Sequence, residues 1–257
     1  MGIRLKIPKS HVRADSLRKR EELIEGEEKG VVAKAGLIAY GRGEAFDYLI
    51  GEATIPPALF AARAAAAYLL LAGHPVISVN GNAAALVPER LVALSREVPA
   101  GLEVNLFYRS RRREYAIRSV LMKAGATEVL GVGKHASATI PELHSERRRV
   151  DPRGIYSADV VLVPLEDGDR TMALKKARKF VIAIDLNPLS RTAQTADVTI
   201  VDNIVRAVPN ILAAVKDLKK LGRSELNGII RRFDNRRNLS ESIQYIRDRL
   251  STLARGD

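Results

Sequence analysis

Six short apolar runs, set roughly 20 to 30 residues apart, constrain this chain more than any other feature. They are Pro75-Val-Ile-Ser-Val-Asn80, Leu102-Glu-Val-Asn-Leu-Phe107, Glu128-Val-Leu-Gly-Val132, Asp159-Val-Val-Leu-Val-Pro164, Phe180-Val-Ile-Ala-Ile-Asp185 and Asp197-Val-Thr-Ile-Val-Asp202. Continuous runs rich in β-branched residues suit strands covered on both faces, and the amphipathic stretches between them are long enough to be crossover helices. The pattern predicts an α/β fold: a Rossmann-like doubly wound, mainly parallel sheet of about six strands with helices on both faces and helical additions at both ends.

Helical patterns flank the runs. Asp15 to Glu28 is expected to end near Gly30, Val31 to Tyr40 to stop at Gly41-Arg42-Gly43, and Ala58 to Ala72 to lead into the first run. No strand pattern is found after Asp202; Ile204 to Leu221 and two further pieces ending at Leu253 read as helices. The expected organisation is one domain, with N-terminal helices in 1–73, the sheet core in 74–203 and C-terminal helices in 204–257.

Charge narrows the function. Lys and Arg number 42 against 30 Asp and Glu, a formal net charge of +12, and most of the cations are Arg, whose planar fork grips phosphates and carboxylates at two points. The excess points to an anionic partner, either nucleic acid or a small phosphorylated ligand. With no Cys, thiolate nucleophiles, iron–sulfur clusters and Cys-bound zinc are excluded, and the four His form no metal-binding pair. The polar start argues against a signal peptide, so a cytoplasmic protein is expected. Ile55 to Gly73 is Ala-rich and carries Arg63 near its middle, which favours a buried helix over a membrane span.

In an open parallel sheet, ligands bind beyond the carboxyl ends of the strands. The residues just after the runs are Asn80-Gly-Asn82, Tyr108-Arg109, Gly131-Val-Gly133-Lys134-His135, Glu166-Asp-Gly-Asp-Arg170, Asp185-Leu-Asn187 and Asp202-Asn203. Several have plain structural readings. Asn80-Gly-Asn82 is a ligand contact or a capped strand-to-helix turn. The acidic loop at Glu166 holds a magnesium ion on a nucleotide or caps a helix. The triplets Arg111–Arg113 and Arg147–Arg149 are solvated helix faces or an electrostatic funnel. Gly131-Val-Gly133-Lys134 lacks the spacing of a Walker A loop, because His135 comes after the Lys, and Pro141 interrupts the helix a dinucleotide fold needs. Gly41-Arg42-Gly43-Glu44 is a helix terminus or a place where backbone and guanidinium approach an anion together.

Several longer blocks stand out: Ser10-His11, Arg13-Ala-Asp-Ser-Leu, GLIAYGRGEAFDYLIGE from Gly36, PVISVNGNAAAL from Pro75 and LEVNLFYR from Leu102. They continue through ADVVLVPLEDGDR from Ala158 and IDLNPLSRTAQTADVTIVDNIVRAVP from Ile184. In these blocks, which cover nearly all of 8–215, the chain resembles the archaeal phosphopantothenate synthetases, or 4-phosphopantoate–β-alanine ligases. Val12 stands where the family has Pro, and Tyr40 where His is familiar.

The resemblance implies an ATP-dependent ligase of coenzyme A biosynthesis. It would join 4-phosphopantoate to β-alanine through an acyl-adenylate and release AMP and diphosphate, with Mg²⁺ accompanying ATP, as a homodimer without nucleic-acid or membrane partners. Nucleotide contacts are implied at Arg20, Arg42, Asp185, Leu186, Asn187, Arg191, Thr192, Asn203 and Ile204. Our own assignments give phosphopantoate to Asn80, Asn82 and Arg109, place His135 near the amine or substrate phosphate, and have Arg42 and Lys134 stabilise charge at the reacting phosphate; no resident metal site is expected. Two rivals stay in view: a nucleic-acid-binding protein, against which stand only 7 Tyr, 5 Phe and no Trp as stacking platforms, and an adenylating ligase for a different acid or amine.

Overall fold

The structure, a computed structural model, describes residues 8, 10, 11, 13–141, 143–165 and 167–256. Three helices come first, α1 (Ala14–Glu28), α2 (Lys34–Leu49) and α3 (Pro56–Leu71). The sheet region continues as β1 (Pro75–Val79), α4 (Gly81–Leu86), α5 (Pro88–Glu97), β2 (Gly101–Val104) and α6 (Arg111–Lys123). Next come β3 (Ala138–Thr139), β4 (Arg149–Val150), β5 (Val160–Pro164), α7 (Gly168–Lys176), β6 (Phe180–Ile184), α8 (Arg191–Thr195) and β7 (Val198–Ile200). Helices α9 (Ile204–Leu218), α10 (Arg223–Arg231) and α11 (Asn235–Arg255) close the chain.

Strands β2-β1-β5-β6-β7 form one sheet in that order, every pair parallel. Because side chains alternate across a strand, Ile77, Val79, Leu162, Ile182, Ile184, Val198 and Ile200 face one core. Val76, Val161, Val163, Val181 and Ala183 face a smaller one. The large core is roofed by α3 and α9, with α5 beside α9 and α10 and α11 against α3. Ala61, Ala65 and Ala66 of α3 are fully buried. Their methyl-sized side chains let backbones pack closely, and among the described residues no helix is long and apolar enough to cross a membrane. The small core is closed by Ala173 and Leu174 of α7, by Ile140 and Val150 of the antiparallel β3–β4 pair, and by Ile155.

Two sequence expectations need correction. The run Glu128 to Val132 forms no strand. Leu130 makes a single parallel bridge to Glu103, through Leu130 N–H to Leu102 C=O (2.8 Å) and Val104 N–H to Leu130 C=O (3.0 Å). Pairing stops there because Gly131 turns to φ +74°, and a Cβ at that residue would lie 2.6 Å from Val104 O. The sheet therefore has five strands, with an apolar segment stapled to its β2 edge. Secondly, Gly41-Arg42-Gly43 does not end α2, which continues to Leu49. Both glycines keep negative φ, and buried Tyr40, Glu44 and Asp47 hold the helix across the weak segment by tertiary contacts that outweigh propensity.

Candidate active site

After β1 the chain moves outward to β2, then returns to lay β5 on the other flank of β1, so the strand order reverses between β1 and β5. A crevice opens at such a point, since the connections leave in opposite directions. Here it is a cleft of about 640 Å³, lined by Asn80–Asn82 beyond β1, Leu106–Tyr108 beyond β2, Leu165 and Asp167 beyond β5, Asp185–Asn187 beyond β6 and Asn203 beyond β7. Gly36, Tyr40, Arg42 and Gly43 of α2 form another wall.

Short polar side chains build these walls by satisfying backbone groups. Asn80 Oδ1 accepts from Ala83 N–H (3.0 Å) as N-cap of α4, while its Nδ2 donates to Pro164 O (2.8 Å) and Leu165 O (3.1 Å), tying the ends of β1 and β5 together. Asn82 Nδ2 donates to Gly36 O (2.9 Å) and fixes α2 over α4. Asp185 accepts from Ser190 Oγ–H (2.5 Å) and Asn187 N–H (2.9 Å). Ser190 Oγ in turn accepts from Ala193 N–H (2.9 Å), so the turn after β6 enters α8 already capped. Asn203 caps α9 and donates to Asp47 (2.8 Å) and, at 3.4 Å, to Tyr40 Oη.

Burial raises the pKa of Asp185, against the pull of Ser190, the Asn187 amide and the Arg42 charge. Burial likewise pushes Tyr40 up to about 12, with the Asn203 hydrogen bond opposing, so its hydroxyl stays a neutral donor. Arg42 is exposed in the cleft wall and makes no hydrogen bond or ion pair among the described residues. Arg191 also lines the cleft and pairs with Asp169 at 3.0 Å, both largely solvated. The β6–β7 side of the cleft therefore offers two adaptable guanidiniums over a preorganised polar turn, an arrangement suited to a polyanion.

Of the residues singled out from sequence, the cleft gathers Arg42, Asn80, Asn82, Asp185, Leu186, Asn187, Arg191, Thr192 and Asn203. Five stand outside its lining. Arg20 is held by Glu44, to which it donates from Nε (3.2 and 3.1 Å) and Nη2 (2.9 Å). Ile204 is buried in the large core. Arg109 has a side chain only 3% exposed; it pairs with Glu114 through Nε and donates to Arg149 O (2.9 Å) and Gly131 O (2.7 Å), so protein acceptors already surround the fork meant for phosphopantoate. Lys134 and His135 are exposed on a 3₁₀ turn, Gly133–His135, and are not part of the cleft lining. Glu166 and Val12 lie outside the described residues. Asp167 is N-cap of α7, its Oδ1 accepting from Arg170 N–H (3.0 Å), which is the capping alternative for that loop.

Sequence reasoning missed two residues. Arg113 and Arg147 line the cleft, one from each Arg triplet, so of the two readings of those triplets the solvated helix face fails for these two members. A signal existed for the first. Ser110 caps α6, its Oγ accepting from Arg113 N–H, so Arg113 falls in the opening turn of a helix at the sheet edge where ligands bind.

Comparison with known proteins decides the family. The sequence model of the phosphopantothenate/pantothenate synthetase family matches residues 57–249. The 4-phosphopantoate–β-alanine ligase of Thermococcus onnurineus is 57% identical over 253 residues, covering 98% of this chain and 96% of that one. This chain belongs to that family. The ligases of the same description from Thermococcus kodakarensis and Methanosarcina mazei are 57% and 51% identical, each over 96% of this chain and 95% and 97% of their own lengths. In this chain the block from Gly36 to Glu52 forms the α2 wall and the block from Ile184 forms the β6–β7 wall of one cleft.

Proposed function

We propose that this protein is a 4-phosphopantoate–β-alanine ligase, converting 4-phosphopantoate, β-alanine and ATP to 4′-phosphopantothenate, AMP and diphosphate. The observation that carries the reading is a single switch-point cleft with cationic groups at both ends, in a chain more than half identical to ligases of that description along almost its whole length. The ATP, with Mg²⁺ as its counter-ion, occupies the β6–β7 side, against Arg42, Asp185, Leu186, Asn187, Arg191, Thr192 and Asn203. In this reading the magnesium enters bound to the ATP.

An oxygen of the pantoate carboxylate attacks the α-phosphorus and diphosphate leaves; the β-alanine nitrogen then attacks the acyl carbon, AMP leaves and the nitrogen loses a proton. A carboxylate approaching a triphosphate meets strong repulsion, and Arg42 lowers that cost by stabilising charge at the pentavalent phosphorus. Asn80 and Asn82 border the acid. The walls of Tyr40, Leu106 and Leu186 keep water from the adenylate. The same reading has the chain act as one unit, as a homodimer in the cytoplasm; Leu59 and Phe60, exposed on α3 beside Phe233, offer an apolar patch to a second copy.

The test is a panel of acids and amines with ATP, read as release of AMP and diphosphate. Turnover confined to 4-phosphopantoate with β-alanine supports the reading. Faster turnover with another acid or amine, or no AMP release from any pair, overturns it.

A further inference from the structure

Arg42 can serve a phosphate only if the helix that carries it keeps its place over the sheet. Two polar ties hold α2 there. Near its start, Gly36 O accepts from Asn82 Nδ2. Near its end stands Asp47, about 16 Å further along at 1.5 Å per residue, with Arg42 between the two ties. Asp47 is 2% exposed and is not part of the cleft lining, so whatever it does for the cleft it does through its neighbours.

Those neighbours form one buried polar chain. Asp47 Oδ2 accepts from Asn203 Nδ2 at 2.8 Å and from Arg206 Nη1 at 3.4 Å, and its Oδ1 accepts from Arg206 Nη2 at 2.5 Å. Arg206 turns its Nε to Asp202 Oδ1 (2.8 Å), which also takes the Asn203 N–H (2.8 Å). Asp202 Oδ2 accepts from Thr54 Oγ–H at 2.6 Å, and Thr54 Oγ in turn accepts from Asn210 Nδ2 at 3.1 Å. Two carboxylates thus share one guanidinium in the first turn of α9, where the positive end of the helix dipole offsets the surplus negative charge. Asn203 is the member that lines the cleft. Its Oδ1 accepts from Val205 N–H (3.3 Å); without Asp47, its Nδ2 is left among the described residues with Tyr40 Oη alone, at 3.4 Å. Replacing a buried ion pair by apolar packing is often neutral for stability, so what this cluster supplies is directional geometry.

We infer that Asp47 is a positioning residue for the nucleotide: from outside the cleft it fixes Asn203 at the opening of α9 and the Arg42-bearing stretch of α2 at one spacing. The inference rests on the ligase reading for the place of ATP and adds to it a residue that touches no substrate. Two surfaces on different elements must meet one triphosphate, and a single carboxylate bonded to both elements sets the distance between them.

The experiment compares wild type, D47A, D47N and T54V by calorimetric titration with ATP and by steady-state AMP formation with each substrate varied in turn. D47A should raise Kd and KM for ATP by about 10- to 100-fold, the scale on which displacements near 1 Å act, and leave KM for 4-phosphopantoate and for β-alanine within about 2-fold. D47N keeps the shape with one acceptor oxygen instead of two, and should weaken ATP by at least about 3-fold even where D47A does not fold. T54V removes a hydrogen bond from the far oxygen of Asp202, so it should lower Tm while KM for ATP stays within about 2-fold of wild type. The inference is overturned if folded D47A or D47N binds ATP as wild type does, if the KM values of all three substrates rise together, or if T54V weakens ATP as much as D47A. Failure of the ligase reading looks different: wild type would release no AMP, while calorimetry would still show weaker ATP binding by D47A.

Discussion

Two regions beyond the carboxyl ends of the strands hold comparable polar inventories and use them in opposite ways. In the cleft, Arg42 and Arg113 have no ion-pair partner among the described residues. Under the Gly131–His135 turn, the groups satisfy one another. Arg109 pairs with Glu114, whose Oε2 accepts from Gly133 N–H (2.8 Å), and Asp151 accepts from the Gly131 and Arg153 amides. Glu103 accepts from the Asp151 and Ile155 amides at 2.9 and 2.5 Å. Residue type is a poor guide to role here. Arg109 and Arg113 stand four positions apart, and what separates them is that Arg109 is paired with a carboxylate, whereas Arg113 donates to backbone carbonyls and makes no ion pair among the described residues.

The sharpest way to break this contrast is to remove one cation from each region. R109A strands Glu114, only 4% exposed, as a buried charge without its partner, which costs about 3–5 kcal/mol. Urea or thermal unfolding should show that loss, with kcat per folded molecule little changed. If R109A keeps wild-type stability and loses activity, Arg109 belongs to the cleft after all.

R42A is the converse. Arg42 is solvated and supports no fold contact, so stability should stay within about 0.5 kcal/mol of wild type. Loss of a charge-stabilising donor at the reacting phosphate should lower kcat/KM by about 10²–10³. R42K should recover little if the phosphate is held at two points. An R42A enzyme with wild-type rates of β-alanine-dependent AMP release would refute the role.

This pair of expectations also marks how much the sequence conveys. Strand ends are legible because continuous β-branched runs have one physical explanation, and the turns after β1, β6 and β7 are legible because an Asn, Asp or Ser after a strand caps the next helix. The fold class and the β6–β7 half of the cleft come from that logic and from family blocks. The run at Glu128 misleads because its apolar residues pack equally well as a single bridge on a sheet edge, and only the left-handed Gly131 tells the two apart. Once that strand dissolves, Lys134 and His135 lose their place at the carboxyl edge. Arg113 and Arg147 hide inside basic triplets, where periodicity does not show which member turns inward.

A carboxyl group in the second region sharpens the comparison through pH. Burial pushes Glu103 up to about 7, opposed by the two amides and by Arg170. From about pH 4.5 to 7 the unfolded chain loses this proton while the folded chain keeps it, so stability falls as pH rises, by on the order of 3 kcal/mol in all. Unfolding free energies measured across that range should carry this downward slope, and E103Q should remove it while lowering stability by breaking one amide contact. A profile equally steep in E103Q would place the titration elsewhere.

The smallest expected effect is the most discriminating for the boundary between the regions. Lys134 is assigned from sequence to the reacting phosphate, among the residues that follow the third apolar run, yet this side chain is exposed on a turn whose backbone is held by Glu114. Its charge is then screened by water rather than focused by the cleft. K134A and H135A should each alter kcat/KM by less than about 3-fold and stability by less than about 0.5 kcal/mol. The salt dependence of the rate offers a finer reading of the same point: a rim charge that only steers anions shifts kcat/KM at low ionic strength and leaves kcat alone. A drop of 100-fold or more in kcat for K134A, with the fold intact, would mean that this turn closes over the cleft during turnover and that the two regions act as one.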